Sequence, residues 1–433
     1  MHYVNYFLDI GRIAMILKEK QIYLYGIFLL MFLWDVIDEI YPNIQFVAIL
    51  GLFLLYLCNG NRLKITKEIK MLVVLATVIA LHGIANVMLG NDKINLLVIQ
   101  AGAIAVCYIS FSTLIRKCSI SEIFNVYWKV ALAMALFGLV EVFLGLLNVS
   151  NVPLFFTFTK PWYCVLGVVK LAALCREPSF LGYFLAPAVY LVLSNILSPE
   201  TIDKSFAPLR KKWQGICICS AYLLTFSGVA YFGAFIMLVV IWWKKGVSLW
   251  KIMIPIVILI TVTMAYTYVP DIHVRVDDTV AVFLGDSSGG LVNLSSYTYY
   301  ANYSVVKQSF INNYGLGSGL GSYQVMFDKY NIGAWGDSAL ALNREDANSA
   351  FFRILTELGV VGIVAAMWFL FRFMPKKKNT LTCYSSAIFC LFVMFLLRQG
   401  NYTHGCSVLF ICMYIKIWRE SQLIDKGSLI YEK

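Results

Sequence analysis

The sequence predicts an all-α, polytopic integral membrane protein with about twelve transmembrane helices and two outer loops, the second large and partly helical. Three observations predict it. Hydrophobic residues make up 60% of the 433 positions and charged ones only 14%, with a mean hydropathy of +0.75, too much apolar surface for a water-soluble globule of ordinary surface-to-volume ratio. Runs such as IYLYGIFLLMFLW, MLVVLATVIALHGIANVML and INLLVIQAGAIAVCYISF approach or reach the roughly 20 residues that a helix needs to cross about 30 Å of hydrocarbon. Lipid offers the backbone no partners, so these runs read as helices. Finally, basic residues recur in short clusters between the runs, as they do in cytoplasmic loops.

The first apolar run starts near Ile22, and no small-residue cleavage pattern follows it, so it reads as the first span and not as a removed signal. Lys18 and Lys20, then Arg62, Lys64, Lys67 and Lys70, then Arg116 and Lys117 alternate with a parity that places the N-terminus inside. Lys204 with Arg210 to Lys212, Lys244 and Lys245, Lys376 to Lys378, and Lys416 with Arg419 continue it, so the C-terminus is cytoplasmic too. The run from Gln214 to Trp243 carries basic residues at both ends. A single span would put one cluster outside, so this run is read as two short helices hinged at Ser227 and Gly228.

The chain thus forms one transmembrane domain, with residues 148–179 and 270–347 outside. The second loop is rich in Tyr, Asn, Ser and Gly, as in NLSSYTYYANYS and NNYGLGSGLGSYQ, the composition of a folded polar lid with turns and short helices. Its aromatic residues either stack on sugars or sit at the membrane interface. Gly315, Gly317, Gly319 and Gly321 lack a preceding strand and a following Gly-Lys-Ser/Thr, so they read as a turn before a short helix at Ser322 to Lys329 and not as a phosphate cradle.

Several function classes are disfavoured. The net charge of +11 is explained by topology and implies no nucleic-acid partner. The eleven cysteines show no paired metal spacing, and His273 and His404 lack partners at such spacing, so no metal is assigned. No internal repeat of fixed period is visible, against an inverted-repeat transporter.

Ionisable residues in spans are costly and mark functional interiors. Here they gather on the outer side: Asp35, Asp38 and Glu39 close the first span, His82 and Glu141 lie in the outer parts of the third and fifth, Arg353 and Glu357 in the outer turns of the tenth, and Arg398 with His404 flanks the last outer turn. An ion-coupled conduit also needs groups at the midplane and inner side. An outward-facing enzyme site for a charged, partly lipidic substrate fits better.

In LNREDANSAFFRILTELGVVG, residues 342–362, helical geometry aligns Asp346, Arg353 and Glu357 on one stripe. They either line one cavity wall, or Arg353 and Glu357 simply pair at i,i+4 spacing. Asn348 lies near the helix start, and Arg344 or Arg353 can hold phosphate oxygens there. Arg176 and Glu177 stand just before Pro178, which suits a first helical position. They meet either a lipid pyrophosphate at headgroup level or serve as an interfacial anchor or ion pair.

Asn348 with LTELGVVG, preceded by GLGSGLGSY, resembles the O-antigen polymerase and ligase superfamily, whose long outer loop runs from a Gly-rich turn into an Asn-containing, Glu-x-Gly-x-x-Gly helix. Glu357, Gly359 and Gly362 match that tail. LTFSGVAYFGAF, residues 224–235, resembles the family's small-residue hinge, without its common arginine. Ligases of the superfamily usually carry His before the Asn; Ala347 stands there, which favours the polymerase branch.

The resemblance implies a bacterial inner-membrane glycosyltransferase of lipopolysaccharide or other surface-polysaccharide synthesis. It would move a growing glycan from undecaprenyl pyrophosphate to the next lipid-linked repeat unit at the periplasmic face. Arg176 and Arg344, then Arg353 and Arg275, would steady the departing pyrophosphate. Asp346 is the first choice of base, with Glu345 and Glu177 the other carboxylates. Asn348, Glu357 and Tyr323 complete the substrate-binding set, Tyr323 by holding sugars. Activation resides in the lipid pyrophosphate, so the scheme needs no cofactor, metal or nucleotide sugar. Its partners are the lipid-linked oligosaccharide, membrane lipids and, where one exists, a chain-length regulator. The rivals are an O-antigen ligase, a transporter of the lipid-linked unit and a non-catalytic scaffold.

Overall fold

The computed structural model describes residues 21–41, 43–61, 67–147, 164–165, 168–198, 206, 209, 211–245, 260, 263–264, 266–268, 270–284, 294–330, 343–375, 381–404 and 407–425. It is about 81% helical. In order the helices are α1 (Gln21–Phe32), α2 (Trp34–Ile40), α3 (Ile44–Cys58), α4 (Lys67–Met88), α5 (Ile94–Leu114), α6 (Ile120–Leu146), α7 (Pro178–Leu197), α8 (Lys212–Leu224), α9 (Gly228–Lys245), α10 (Pro270–Leu284), α11 (Leu294–Asn312), α12 (Tyr323–Tyr330), α13 (Ala350–Arg372), α14 (Leu381–Arg398) and α15 (Ser407–Asp425). Between α6 and α7 lies a two-residue antiparallel ladder, β1 (Cys164–Val165) and β2 (Val168–Val169).

Among the described residues five helices, α5, α6, α7, α13 and α14, are long and apolar enough to cross a membrane. Gln21–Phe32, Ile44–Cys58, Val73–Met88 and Gly228–Lys244 are shorter apolar helices. The apolar stretch between Lys245 and Pro270 lies largely outside the described residues. One continuous core joins α1, α6, α7, α14 and α15. At its centre α7 packs against α14, α9 and α8.

The Gln214 to Trp243 run does break at residues 225–227, where Phe226 takes a left-handed φ of 44°. Two contacts orient α8: Gly215 faces Val192 near the end of α7, and Leu224 O accepts from Leu171 N at 2.9 Å near its start. Helix α9 returns, with Ala230 against Gly182 and Lys244 Nζ on Ser386 Oγ near the start of α14. That end of α14 meets the end of α7 through Cys383 Sγ and Ser194 Oγ, 3.6 Å apart. Lys212 and Lys244 therefore end up at the same end of the bundle.

Two other breaks are satisfied from outside their own helices. Pro187 lies inside α7, where it removes a donor and crowds the preceding turn. The Tyr127 hydroxyl from α6 inserts beside it, donating to Phe184 O and accepting from Ala188 N at 3.2 Å. In α13, Gly359 adopts φ 65° and ψ −157°, so the ladder of i to i+4 bonds fails there. The glycine turn replaces it: Ser318 N donates to Thr356 O, Gly319 N to Glu357 O, and Val360 N to Gly315 O, each at 2.9 Å. This approach has no room for a Cβ. One built on Gly317 would lie 2.6 Å from Glu357 O, and one on Gly359 2.2 Å from Gly315 O.

The turn leads into α12 as expected. Helix α11 was hidden from hydropathy because its buried stripe, Thr298, Ala301, Asn302, Val305 and Ser309, is small and largely polar. Those residues recur at helical spacing, and α11 packs on α13.

Alanine at Gly317 or Gly359 combines a left-handed backbone cost of about 1–2 kcal/mol with a clash against main chain. Each variant should lower the melting temperature in detergent. Gly102→Ala, in α5 with no atom within 4 Å of its Cβ position, should leave it unchanged or raise it.

Candidate functional site

A cavity of about 690 Å³ opens at the end of the bundle where the segment leading into α7 meets α11 and the turn before α13. Its walls are the start of α7, the hinge and first turns of α9, part of α11, the turn 343–348 and the end of α14.

The α7 wall follows from Pro178, whose fixed φ suits the first helical position. Glu177 precedes it in an extended conformation, and its carboxylate accepts from Ser179 Oγ at 3.2 Å. The backbone N–H of Arg176 donates to Asp35 Oδ2 at 3.0 Å. One step deeper, the fully buried Glu141 accepts from Ala173 N at 2.9 Å through Oε2. The segment leading into α7 is thus tied to α2 and α6 just before it enters the site.

The opposite wall is the turn before α13. Asn343, Ala347 and Asn348 all take left-handed φ values near 60°, a conformation that Asn tolerates well. Asp346 Oδ1 accepts from Asn343 Nδ2 and from Asn348 N, both at 3.0 Å, and so closes the turn. The main chain of Gly400 presses against Asp346 O so closely that a Cβ there would fall 1.4 Å from it. Ser349 caps α13, accepting from Phe352 N at 3.2 Å and donating to Leu396 O at 2.6 Å.

Lys170 and Arg398 supply cations to the lining, Glu177 and Asp346 carboxylates, and Asn343, Asn348 and Gln399 amides. Arg398 lies 5.7 Å from the Tyr299 ring centroid. Phe180, Phe226, Phe232 and Leu397 form the apolar part. Such a mixture suits a ligand with anionic, hydroxylated and apolar portions.

Of the residues singled out from the sequence, the cavity gathers Glu177, Asp346 and Asn348. Arg176 and Glu345 are exposed and do not line it. Arg344 grips Asp328 in a two-pronged bond, Nε to Oδ1 and Nη2 to Oδ2, both 2.6 Å. That bond holds the Asp328 carboxyl below its usual range and raises the Arg344 guanidinium. The Arg275 side chain lies outside the described residues.

Two expectations are corrected. Tyr323 is fully buried, its hydroxyl donating to Asn302 Oδ1, so it offers no face to a sugar. Nor do Arg353 and Glu357 share a wall with Asp346, because α13 starts only at Ala350 and Asp346 sits in the preceding turn. Instead they form the i,i+4 pair, Nε to Oε1 at 2.9 Å, with side chains 6% and 0% exposed. Arg353 also donates to Gln100 Oε1 at 2.8 Å and Gly400 O at 3.2 Å, and lies 4.5 Å from the Tyr402 ring centroid. This is a strut joining α13 to α5 and to the turn between α14 and α15.

Sequence reasoning gave no role to Lys170 and placed Arg398 only as a flank of the last outer turn. The available signal was an arginine closing an apolar helix directly before the polar run Gln399 to Thr403. Near the strut, burial pushes the Asp92 carboxyl up to about 7, the Lys93 backbone N–H pulls it down, and the charge of Glu357 adds to the rise. Among the described residues no three His, Cys, Asp or Glu side chains converge as a metal site would require. The chain matches no protein-family model, and no curated protein matches it.

Arg353→Met should cost about 3–5 kcal/mol, the penalty for stranding one member of a buried ion pair. Detergent unfolding checks this, and the added change Glu357→Gln should recover part of the loss.

Proposed function

We propose that the chain is a polymerase of the bacterial inner membrane, with about twelve spans, both termini cytoplasmic and the cavity facing the periplasm. Its reaction lengthens a surface polysaccharide by transferring the growing glycan from undecaprenyl pyrophosphate to the next lipid-linked repeat unit. The observation that supports this best is the cavity lining, where Lys170 and Arg398 stand with Glu177 and Asp346 at the meeting of the outer loops.

A hydroxyl of the acceptor unit attacks the anomeric carbon of the donor glycan. A new glycosidic C–O bond forms as the bond to the pyrophosphate oxygen breaks. Asp346, held by Asn343 and the Asn348 amide, accepts the hydroxyl proton. Arg398 and Lys170 stabilise the charge that develops on the leaving pyrophosphate, and an arginine does so without losing its proton. In this scheme Arg398 takes the part that the sequence suggested for Arg344 and Arg353, because Arg344 is occupied by Asp328 and Arg353 is enclosed. Glu177 orients sugar hydroxyls from the facing wall.

Purified protein incubated with one defined lipid-linked repeat unit should yield a ladder of longer lipid-linked glycans. Asp346→Asn and Arg398→Ala should each slow extension about 100-fold or more, and Arg344→Ala should not. Transfer to lipid A core instead would indicate a ligase. Movement of the unit across a vesicle wall with no new bond would indicate a transporter.

A further inference from the structure

The apolar part of the cavity does not end at its rim. Helix α9 buries Ala230, Gly233, Met237 and Ile241, with Ala230 against Gly182 of α7 and Gly233 against Met394 of α14. At about 100° per residue, Val229, Phe232, Ile236, Val239 and Trp243 fall on one flank of the same helix, roughly 80° wide and beside that buried stripe. Val229 and Phe232 line the cavity, as does Leu397, the neighbour of Arg398 on α14.

Phe232 is 44% exposed, whereas the other apolar side chains of the lining, Phe180, Phe226, Val229, Met394 and Leu397, are buried or half-buried. The flank stays open below it, with Val239 37% and Trp243 80% exposed. Gly228 at the rim leaves free space, since no atom lies within 4 Å of its Cβ position. The cavity is therefore continuous with the outer surface of the bundle at Phe232.

A ligand whose anionic head sits by Arg398 and Lys170 must let any hydrocarbon chain leave over apolar surface, because a path over Ser296, Thr298 or Asn343 would strip water from polar groups. Phe232 gives that exit. We propose that the flank of α9 from Phe232 to Trp243 seats the polyisoprenyl tail of the donor lipid while its pyrophosphate lies beside Arg398. The inference rests on the glycosyl-transfer reading of the cavity and adds the place of the carrier chain. The 18 residues of α9 rise about 27 Å, close to the roughly 30 Å of hydrocarbon in a bilayer, so a tail laid along the flank stays at hydrocarbon depth. Anchoring of the head makes the tail contact intramolecular, which favours this chain over free acyl chains at the same surface.

Photocrosslinking in nanodiscs tests the seat without relying on turnover. A benzophenone amino acid replaces Val239 or, as a reference, Val78 in α4, which is 58% exposed. With the undecaprenyl-pyrophosphate-linked repeat unit present, the ratio of its adducts to phospholipid adducts should be about tenfold higher at 239 than at 78, and undecaprenyl pyrophosphate without sugar should compete. Equal ratios at the two positions, or adducts at 239 only with phospholipid or with residues 246–259 of this chain, overturn the proposal.

Kinetics supply a second readout. Val239→Asn should raise KM for the undecaprenyl-linked donor about tenfold, the lower end of what burying a valine side chain contributes, with kcat unchanged. KM for the same glycan on dimethylallyl pyrophosphate should not move, because a single isoprene unit does not reach position 239. A parallel change with both donors, or no change with either, overturns the proposal. If the wild-type protein makes no polymer while the 239 probe still captures the undecaprenyl lipid selectively, the glycosyl-transfer reading fails and the tail seat stands.

Discussion

A backbone group that loses its helical partner inside hydrocarbon has no water to turn to, and this constraint organises the molecule. The kink at Gly359 exposes the carbonyls of Thr356 and Glu357 and the N–H of Val360, and the turn from Gly315 to Gly319 meets all three. The segment that carries the turn is thereby fastened part-way down a long apolar helix and not merely laid over its end. Tyr127 performs the matching repair at Pro187 in the central helix.

The consequences reach the cavity through rigid connections. Arg353 lies one helical turn before the clamp region and ties α13 to α5, to Gly400 and to the Tyr402 ring. Gly400 in turn is packed on the Asp346 carbonyl, so the turn bearing the proposed base is held by the same buried charge. On the far wall, Asp35 and Glu141 hold the segment leading into α7 by its backbone at Arg176 and Ala173. The acidic and basic groups singled out from the sequence thus divide into those that build the frame and those that face the cavity.

That division was only partly legible in the sequence. Hydropathy located the apolar helices, and the basic residues at both ends of 214–243 exposed the break at Phe226, because charge placement and length obey simple membrane physics. The glycine turn and the short helix after it were also readable. Helix α11 was not, since its buried face uses Thr298, Asn302 and Ser309 where hydropathy looks for Leu or Ile. Helical periodicity suggested that Asp346 shares a stripe with Arg353, but the helix begins after Ser349, and that boundary is set by a cap and by Gly400 from a distant segment. Arg398 and Lys170 come into one cavity with Asp346 only through tertiary packing, which no local pattern encodes.

The central claim is that a lipid-linked glycan occupies the outer cavity. A photoreactive undecaprenyl-pyrophosphate repeat unit, cross-linked to the purified protein and mapped by mass spectrometry, tests it most directly. The account predicts adducts in 177–180, 226–232, 343–348 and 394–399. Adducts confined to the opposite end of the bundle, around Lys212 and Lys244, would contradict it.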